Sequence, residues 1–409
     1  MSKTILRALG RRAMQLAVVA VLAVPGVVSV IDARTKPNDP NLAQLPPRPA
    51  SLHALGEAPP KVTAWINDHF GYRSELVKMN NRLRFKVFRE FPSVQVTSGR
   101  HGRYFLTAHS TTDRPFQAVL STCSGVLPDP AIVPYINRMF DTYRAAGLAP
   151  RLLLVPSAPV VHPEDLPRWL APRCMGTDTG VAAMLASRAL APASSAAMLY
   201  PLAQMREIKQ GATLFPKTWF HWTGEGLDQV VRLSLATFWH RPLDQAPPLQ
   251  TKKYMHHSDV SHLFDGVSLE SEIVEPDLAA SQVTGCFGET CFPEVEAGKV
   301  LRDVSRFGNP KAQARRLLII SDSFGSKVSP WYARYYREVE HFATNNIDLL
   351  SPAQLTALRT YMYRNPDQTD ILLLYHDGNA VYTDMLRYVT ERMLPVAPGA
   401  PPLAVKALP

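Results

Sequence analysis

The sequence predicts an α/β fold built around a mostly parallel β-sheet. Three short apolar runs are typical of strands buried on both faces, at residues 151–155, 317–320 and 371–375. Segments with helical spacing separate these runs. Strands that alternate with helices favour a parallel sheet. A chain of 409 residues, of which 46% are apolar, is long enough to bury the core of such a sheet.

Residues 1–31 predict a signal peptide or a signal anchor. Basic residues at positions 3, 7, 11 and 12 precede an uncharged, mostly apolar run from 13 to 31. Residues 28–30 form only a mediocre cleavage site, so an anchor is slightly favoured and a cleaved signal stays open. In both cases the positive-inside rule places the rest of the chain outside the cytoplasm.

Three further segments lie between this signal and the first apolar run. Residues 32–61 are rich in Pro, Asn and Ala without periodicity, which predicts an extended linker. Residues 65–88 carry apolar side chains at helical spacing and predict an amphipathic helix. Residues 94–106 alternate in polarity around two glycines, so we expect a hairpin.

Helices and strands then alternate in the main body of the chain. The predicted helices lie at 134–146, 181–190, 202–209 and 224–238, with strands at 151–155 and 197–200. Residues 243–312 show no such pattern and predict an irregular insertion or lid. The alternation resumes with strands at 317–320, 340–342 and 371–375 and helices at 325–337, from 352, and at 380–393. The Pro-rich residues 395–409 predict a disordered tail.

Composition limits the possible functions. The net charge is +9, but no continuous basic tract or interleaved aromatic residues suggest a nucleic-acid platform, and no glycine-rich loop suggests a nucleotide site. A basic surface suits an anionic glycan, an anionic membrane, or simply a basic soluble protein.

The four cysteines suit an oxidising compartment and predict two disulfide bonds. Cys286 and Cys291 could close a small loop, which leaves Cys123 to pair with Cys174. A zinc site is the alternative, although the spacing is unlike that of a zinc ribbon.

The most informative stretch is LLIISDSFG at residues 317–325. A buried strand ends there in Ser321, Asp322 and Ser323, and a helix could follow. Open α/β sheets bind ligands at the carboxyl ends of their strands, where backbone N–H groups of the next helix could stabilise an oxyanion. The alternative is a turn whose serine only caps the helix.

Three blocks in this order resemble the alginate O-acetyltransferase family (AlgJ/AlgX-type proteins). Residues 68–88 (DHFGYRSELVKMNNRLRFKVF) resemble its "D-H-F-G-x-R" helix, residues 215–226 (FPKTWFHWTGEG) its "Y-K-T-D-T-H-W-T" block, and residues 321–325 (SDSFG) its "G-D-S-F" block. The resemblance implies a divergent member with an SGNH-hydrolase-like (flavodoxin-like) domain at 62–394. It also implies a periplasmic enzyme that acetylates polysaccharide hydroxyls and uses neither a metal nor an organic cofactor.

Carried over residue by residue, the resemblance makes Ser323 the nucleophile and His221 the general base. A serine hydroxyl needs such a base to attack an acyl carbonyl at neutral pH. The family's triad aspartate lies two residues before the histidine, where this chain has Trp219. Asp377, which follows the predicted strand at 371–375, is the candidate acid that could orient His221 in place of the family's aspartate. His376 is the alternative candidate for the base.

Two further sets of candidate residues surround this dyad. Ser321, where the family has glycine, and Asp322 complete the motif at which backbone N–H groups would form an oxyanion hole. Aromatic faces suit pyranose rings, whereas helical spacing is equally typical of core packing. The candidate substrate-binding residues are Trp219, Trp222, Tyr332, Arg334 and Tyr335.

The resemblance also implies partners. They are an exopolysaccharide chain as acceptor, a membrane-bound O-acyltransferase as acetyl donor, other polysaccharide-secretion proteins, and the inner membrane through the N-terminal helix. The alternative function is a weakly active or inactive protein that binds exopolysaccharide or scaffolds the machinery that secretes and modifies it. Trp219 favours that alternative.

Overall fold

The computed structural model describes residues 14–15, 18–19, 23–24, 27, 43–69, 72–127, 129–241, 246, 249–382 and 385–395. The predicted signal or anchor at 1–31 and the predicted tail at 395–409 therefore lie almost entirely outside the described residues. Among the helices that are described, none combines the length and apolar character that crossing a membrane requires.

The chain forms two compact units, of which the first contains the residues up to Pro92 together with Phe264–Val267. Its helices are α1 (Leu52–His69) and α2 (Arg73–Leu83), and a π-helical turn at Arg84–Phe88 continues α2. The side chain of Asn81 donates to the carbonyl of Asp265 at 2.9 Å, which fixes α2 to the short segment 264–267.

Two secondary-structure predictions for this unit need correction. Residues 52–61 of the predicted extended linker belong to α1, even though Pro59 and Pro60 lie inside it. Leu, Ala and Glu residues in that segment have high helix propensity, which the composition-based prediction ignored. The single helix predicted at 65–88 is two helices, since α1 ends at His69 and α2 begins at Arg73.

The second unit begins with the predicted hairpin. Strands β1 (Val96–Ser98) and β2 (Tyr104–Leu106) pair antiparallel. His101 and Gly102 in the turn have φ values of 54° and 75°. This left-handed conformation allows the tight reversal and is one that glycine adopts readily.

A seven-stranded sheet forms the centre of the second unit, in the order β4-β3-β11-β9-β10-β8-β7. Its strands are β3 (Arg151–Val155), β4 (Met198–Leu199), β7 (Thr284–Phe287), β8 (Val304–Gly308), β9 (Ala314–Ser321), β10 (Tyr336–Ala343) and β11 (Thr369–His376). The neighbours from β4 to β10 are parallel, whereas β8 and β7 add to the edge antiparallel. The predicted α/β class with a mostly parallel sheet is confirmed.

Helices cover both faces of this sheet. They are α3 (Gln117–Thr122), α4 (Ile132–Ala145), α5 (Ala158–Val161), α6 (Ala171–Cys174), α7 (Gly180–Leu185), α8 (Pro192–Ser195), α9 (Leu202–Ile208), α10 (Gly226–Trp239), α11 (Ala297–Leu301), α12 (Gly325–Tyr332), α13 (Pro352–Met362), α14 (Asp377–Tyr382) and α15 (Met385–Met393). Short 3₁₀ turns occupy Pro163–Asp165, Asp259–Leu263, Ile347–Leu349 and Pro366–Gln368. In β9, Leu317 and Ile319 face one core cluster, and Leu318 and Ile320 face the other.

The prediction of an irregular insertion at 243–312 is wrong for most of its described residues. Strands β5 (Thr251–His257) and β6 (Glu270–Pro276) form an antiparallel pair, and β7 and β8 join the central sheet. Such strands carry few consecutive apolar residues because they are partly exposed, so the search for apolar runs did not detect them.

Both predicted disulfide bonds are confirmed. Cys123 at the end of α3 bonds to Cys174 in α6, and Cys286 in β7 bonds to Cys291. Two disulfides are typical of a protein from an oxidising compartment.

Candidate active site

The candidate site lies in the second unit, at the carboxyl edge of the parallel strands. Strand β9 ends at Ser321, and Ser323 follows in the turn before α12. Ser323 is half-buried, whereas Ser321 is completely buried. The short turn between strand and helix thus leaves one serine hydroxyl at the open edge of the sheet.

Three side chains form a hydrogen-bonded chain at this edge. Nε2 of His221 lies 2.8 Å from Oγ of Ser323, and Nδ1 of His221 lies 2.8 Å from Oδ2 of Asp259. Only 18% of the His221 side chain and 12% of the Asp259 side chain are exposed. A carboxylate accepts from Nδ1–H, so the lone pair of Nε2 points at the serine hydroxyl. This is the geometry of a Ser-His-Asp triad.

Hydrogen bonds to the backbone hold the loop of His221 against the turn of Asp259. Asp259 accepts the backbone N–H groups of Phe220 at 3.0 Å and of His221 at 2.9 Å. The hydroxyl of Ser258, the preceding residue, donates to the carbonyl of Thr218. The loop that carries His221 is therefore bonded along its length to the turn that carries Asp259.

A further hydrogen bond joins that loop to the serine turn. Nε1 of Trp222 donates to the carbonyl of Phe324 at 2.7 Å. Trp222 follows His221 and Phe324 follows Ser323, so this bond fixes the distance between the base and the nucleophile. The predicted substrate-binding role of Trp222 is wrong, since the side chain is completely buried.

Asp377 does not orient His221. Its carboxylate accepts from the backbone N–H of Ser157 at 3.2 Å and from the hydroxyl of Tyr200 at 3.1 Å. Asp377 begins helix α14, which directs its side chain toward the end of β3 and away from the loop of His221. The prediction that Asp377 replaces the family's aspartate is therefore wrong, and Asp259 occupies that place.

His376 forms a separate ion pair with Asp322. Nδ1 of His376 lies 2.7 Å from Oδ2 of Asp322, and its ring stacks on Phe324 at a centroid distance of 4.6 Å. Burial alone would raise the pKa of Asp322, but the His376 cation and nearby N–H donors hold it below its usual range. Burial alone would lower the pKa of His376, but the Asp322 carboxylate raises it above its usual range. Each partner thus favours the charged form of the other.

The side chains of Ser321 and Asp322 point into the protein. Asp322 is completely buried and also accepts the backbone N–H of Phe324 at 3.0 Å. The hydroxyl of Ser321 donates to the carbonyl of Asp322 at 2.6 Å and lies 2.8 Å from Nε2 of His341. The side chains thus brace the turn from within, and any contribution to an oxyanion hole has to come from the backbone.

The remaining predicted substrate-binding residues pack in the core. Tyr332 is completely buried and bonds to the hydroxyl of Ser234, while Trp219 and Tyr335 are at most 5% exposed. Arg334 donates to the carboxylate of Asp228 at 3.0 Å. The helical spacing of these residues therefore reflects packing of α12 and its flanking loop, which is the alternative that the sequence left open.

A small apolar cavity lies beside the triad. Phe220 and Phe324, the neighbours of His221 and Ser323, line it together with His109, His376 and residues of β2, α3 and α5. Its volume is about 40 Å³, well below the roughly 150 Å³ that holds a benzene ring. The cavity can accept a group of only a few heavy atoms.

One group of described residues has donor atoms close enough together for a metal ion, namely His162, Glu164 and Asp165, whose ligand atoms lie within 4.8 Å. These residues do not fit a divalent cation. Nζ of Lys209 lies 2.8 Å from both carboxylate oxygens of Glu164, and Nε of Arg103 lies 2.8 Å from Asp165. The two basic side chains already neutralise both acids.

Solved structures of several known proteins are similar to this chain at low sequence identity. No family model matches the sequence, and no curated protein matches it. A DHHW family protein from Eubacterium siraeum is 13% identical with a TM-score of 0.46, over 66% of this chain and 91% of that chain. PatB1 from Bacillus cereus is 13% identical with a TM-score of 0.45, over 71% of this chain and 98% of that chain.

The O-acetyltransferase domain of AlgJ from Pseudomonas putida is also similar. It is 13% identical with a TM-score of 0.39, over 73% of this chain and 98% of that chain. It carries the name of the AlgJ-type proteins that the three sequence blocks resemble. Because all these TM-scores are below 0.5, they carry no inference about the activity of this chain.

Asp259 is the site residue that sequence reasoning missed. It lies 38 residues after His221, in the region predicted to be an irregular insertion. It occupies no motif of fixed spacing and follows no apolar strand, so nothing in the sequence distinguishes it from the other acidic residues.

Proposed function

We propose that this protein is a serine O-acyltransferase that transfers an acetyl group to a hydroxyl of an exported polysaccharide. The observation that carries the proposal is the hydrogen-bonded chain from Asp259 through His221 to Ser323, with both contacts at 2.8 Å. A half-buried serine hydroxyl needs a base to become a nucleophile, and an imidazole held by a carboxylate supplies it.

The proposed reaction has two steps through an acyl-enzyme. In the first, Nε2 of His221 takes the proton of Ser323 as Oγ attacks the acyl carbonyl, and His221 returns that proton to the leaving group. In the second, His221 takes the proton of a sugar hydroxyl as its oxygen attacks the acyl carbonyl, and His221 returns that proton to Oγ of Ser323 as the bond between Oγ and the acyl group breaks. Asp259 holds the imidazole in the required tautomer and stabilises its cation. The backbone N–H of Ser323 stabilises the oxyanion in both steps.

The size of the apolar cavity favours acetyl over longer acyl groups. At about 40 Å³ it has room for a methyl group and little more. Phe220 and Phe324 place the cavity next to the base and the nucleophile. Water in place of the sugar hydroxyl would make the same site an acetylesterase.

The proposed setting is the periplasm, with the N-terminal helix in the inner membrane. The two disulfides favour an oxidising compartment. An exopolysaccharide would be the acceptor, and a membrane-bound O-acyltransferase, acting with other polysaccharide-secretion proteins, would supply acetyl groups. The alternative, an inactive glycan-binding or scaffolding protein, was favoured by Trp219. Asp259 removes that reason, since it supplies the carboxylate that position 219 lacks.

Hydrolysis of p-nitrophenyl acetate by the full chain tests the proposal. Ser323→Ala and His221→Ala should each abolish hydrolysis above background, while His256→Ala, which removes an exposed histidine, should leave it unchanged. Mass spectrometry should find the acetyl group on the peptide that contains Ser323. A wild-type rate no higher than that of Ser323→Ala, together with no acetylation of Ser323 by this ester, would contradict the proposal.

A further inference from the structure

A second serine–histidine contact lies directly beneath the nucleophile turn. Oγ of Ser321 lies 2.8 Å from Nε2 of His341, whose Nδ1 lies 3.3 Å from Oγ of Ser305. Ser321 and His341 have no exposed surface, and Ser305 is 1% exposed. A substrate cannot reach these side chains, so they do not form a second active site.

The register of the sheet brings the three side chains together. His341 in β10 pairs with Ser305 of antiparallel β8 and with Ile319 of parallel β9. Paired residues point to the same face of a sheet, and residues two apart along a strand share that face. Ser321 lies two residues beyond Ile319 and therefore reaches the same side of the sheet as the other two.

The hydrogen-bond directions in this network can be assigned. A hydroxyl has one proton, and that of Ser321 is donated to the carbonyl of Asp322 at 2.6 Å. The contact with His341 must then be donated by Nε2–H, which leaves Nδ1 as an acceptor toward the hydroxyl of Ser305, and that hydroxyl also lies 3.2 Å from Oγ of Ser329. Burial lowers the pKa of His341 to about 3, so the imidazole is neutral, as this assignment requires.

The network fixes the peptide unit that joins Asp322 to Ser323. The carbonyl of Asp322 accepts from the hydroxyl of Ser321 and also from the backbone N–H of Gly325 at 3.2 Å. In a planar trans peptide the carbonyl and the N–H point in opposite directions. Holding this carbonyl toward the buried network therefore turns the N–H of Ser323 away from it, toward the edge where the Ser323 hydroxyl lies.

We propose that Ser321 and His341 are positioning residues that hold the backbone N–H of Ser323 in the direction in which it receives the oxyanion. This inference rests on the acyl-transfer reaction proposed above. Gly325 fits the same device, because a side chain at that position would collide with the Ser321 hydroxyl and the His341 ring. The family that the motifs resemble has glycine where this chain has Ser321, so the hydroxyl that holds the carbonyl is a feature of this chain.

Steady-state hydrolysis of p-nitrophenyl acetate by Ser321→Ala tests the inference. Ser234→Ala is the matched control, since its hydroxyl is also completely buried and bonds to Val231 and Tyr332. Removing an oxyanion donor outright costs about 10²–10³-fold in kcat, so a misdirected donor should cost on the order of tenfold, with KM within about twofold. We expect Ser234→Ala to lower the melting temperature comparably and to keep kcat within about twofold of wild type.

Equal kcat values for Ser321→Ala and Ser234→Ala, or a loss confined to KM, would overturn the inference. If instead the wild type neither hydrolyses the ester nor becomes acetylated on Ser323, the proposed function fails and a measurement without turnover is needed. The amide resonance of Ser323 in ¹⁵N-serine-labelled protein provides it.

His341→Leu removes the N–H donor to the Ser321 hydroxyl, and position 341 is far from Ser323 in sequence. This variant should therefore shift the Ser323 amide resonance only through the network, while Ser234→Ala should leave the resonance unchanged. If His341→Leu does not fold, Ser305→Ala takes its place, because it removes only the hydroxyl that contacts Nδ1 of His341. A resonance that keeps its position in the folded variant would overturn the inference, whether or not the wild type is active.

Discussion

Two aspartate–histidine pairs flank the nucleophile, and they differ in what the histidine's second nitrogen faces. Asp259 holds Nδ1 of His221 at 2.8 Å, and Nε2 contacts Oγ of Ser323. Asp322 holds Nδ1 of His376 at 2.7 Å, and that imidazole stacks on the ring of the residue after the nucleophile. The same two residue types thus place an imidazole nitrogen against a serine hydroxyl in one pair and an imidazole ring against Phe324 in the other.

The two imidazoles differ little in exposure, since 18% of the His221 side chain and 12% of the His376 side chain are exposed. The carboxylate of Asp322 has no exposed surface, whereas that of Asp259 is 12% exposed at the open edge of the sheet. The Asp322 carboxylate favours the protonated form of His376, which is the form that cannot accept a proton. A carboxylate partner therefore does not by itself identify a catalytic histidine, because the other ring nitrogen must also face the nucleophile.

The largest expected effect is on the first pair. Asp259→Asn keeps the side-chain shape but no longer stabilises the required tautomer of His221, so kcat for p-nitrophenyl acetate should fall by about 10⁴-fold. The melting temperature should change little. A loss of less than about tenfold would remove Asp259 from the triad.

The same substitution in the second pair should act on stability. Asp322→Asn removes the carboxylate oxygen that accepts from the backbone N–H and from Nδ1 of His376, and leaving such donors without an acceptor costs about 1–3 kcal/mol of unfolding free energy. Urea denaturation at neutral pH measures it. A variant as stable as Asp259→Asn would contradict the structural role of this pair.

The stability that His376 contributes should depend on pH. Its folded-state pKa is raised above the usual 6.5 because of the Asp322 carboxylate. The contribution is therefore complete below about pH 6.5 and is lost as the pH rises through the folded-state value. The difference in unfolding free energy between wild type and His376→Gln should shrink over that range. A difference that stays constant up to about pH 9 would show that the cation contributes nothing.

The smallest expected effect is that of Asp377→Asn. Asn can still accept from the backbone N–H of Ser157 and the hydroxyl of Tyr200, so kcat should stay within about threefold of wild type and the unfolding free energy should change by less than about 1 kcal/mol. Ester hydrolysis measured beside Asp259→Asn is the check. A kcat loss equal to that of Asp259→Asn would restore Asp377 as the acid.

Local patterns in the sequence were enough for the fold class, and the resemblance of three motifs to a known family was enough for two residues of the candidate site. The apolar run at 317–320 predicted a buried strand because a parallel strand is covered on both faces. The position of Ser323 after that strand and the motif around His221 placed both residues at one site, although 102 residues separate them. The two disulfides were also predictable, since a close pair of cysteines left only one other pairing.

Tertiary structure alone decided which acid completes the site and which aromatic residues are buried. Asp259 reaches His221 because β5 and β6 fold as a pair, and the partly exposed strands of that region have no apolar pattern to read. Trp222 and Tyr332 could equally have lined a groove or packed in the core, since helical spacing specifies a shared face but not what covers it. Motifs and apolar runs are local, whereas contacts between distant segments depend on how the whole chain packs.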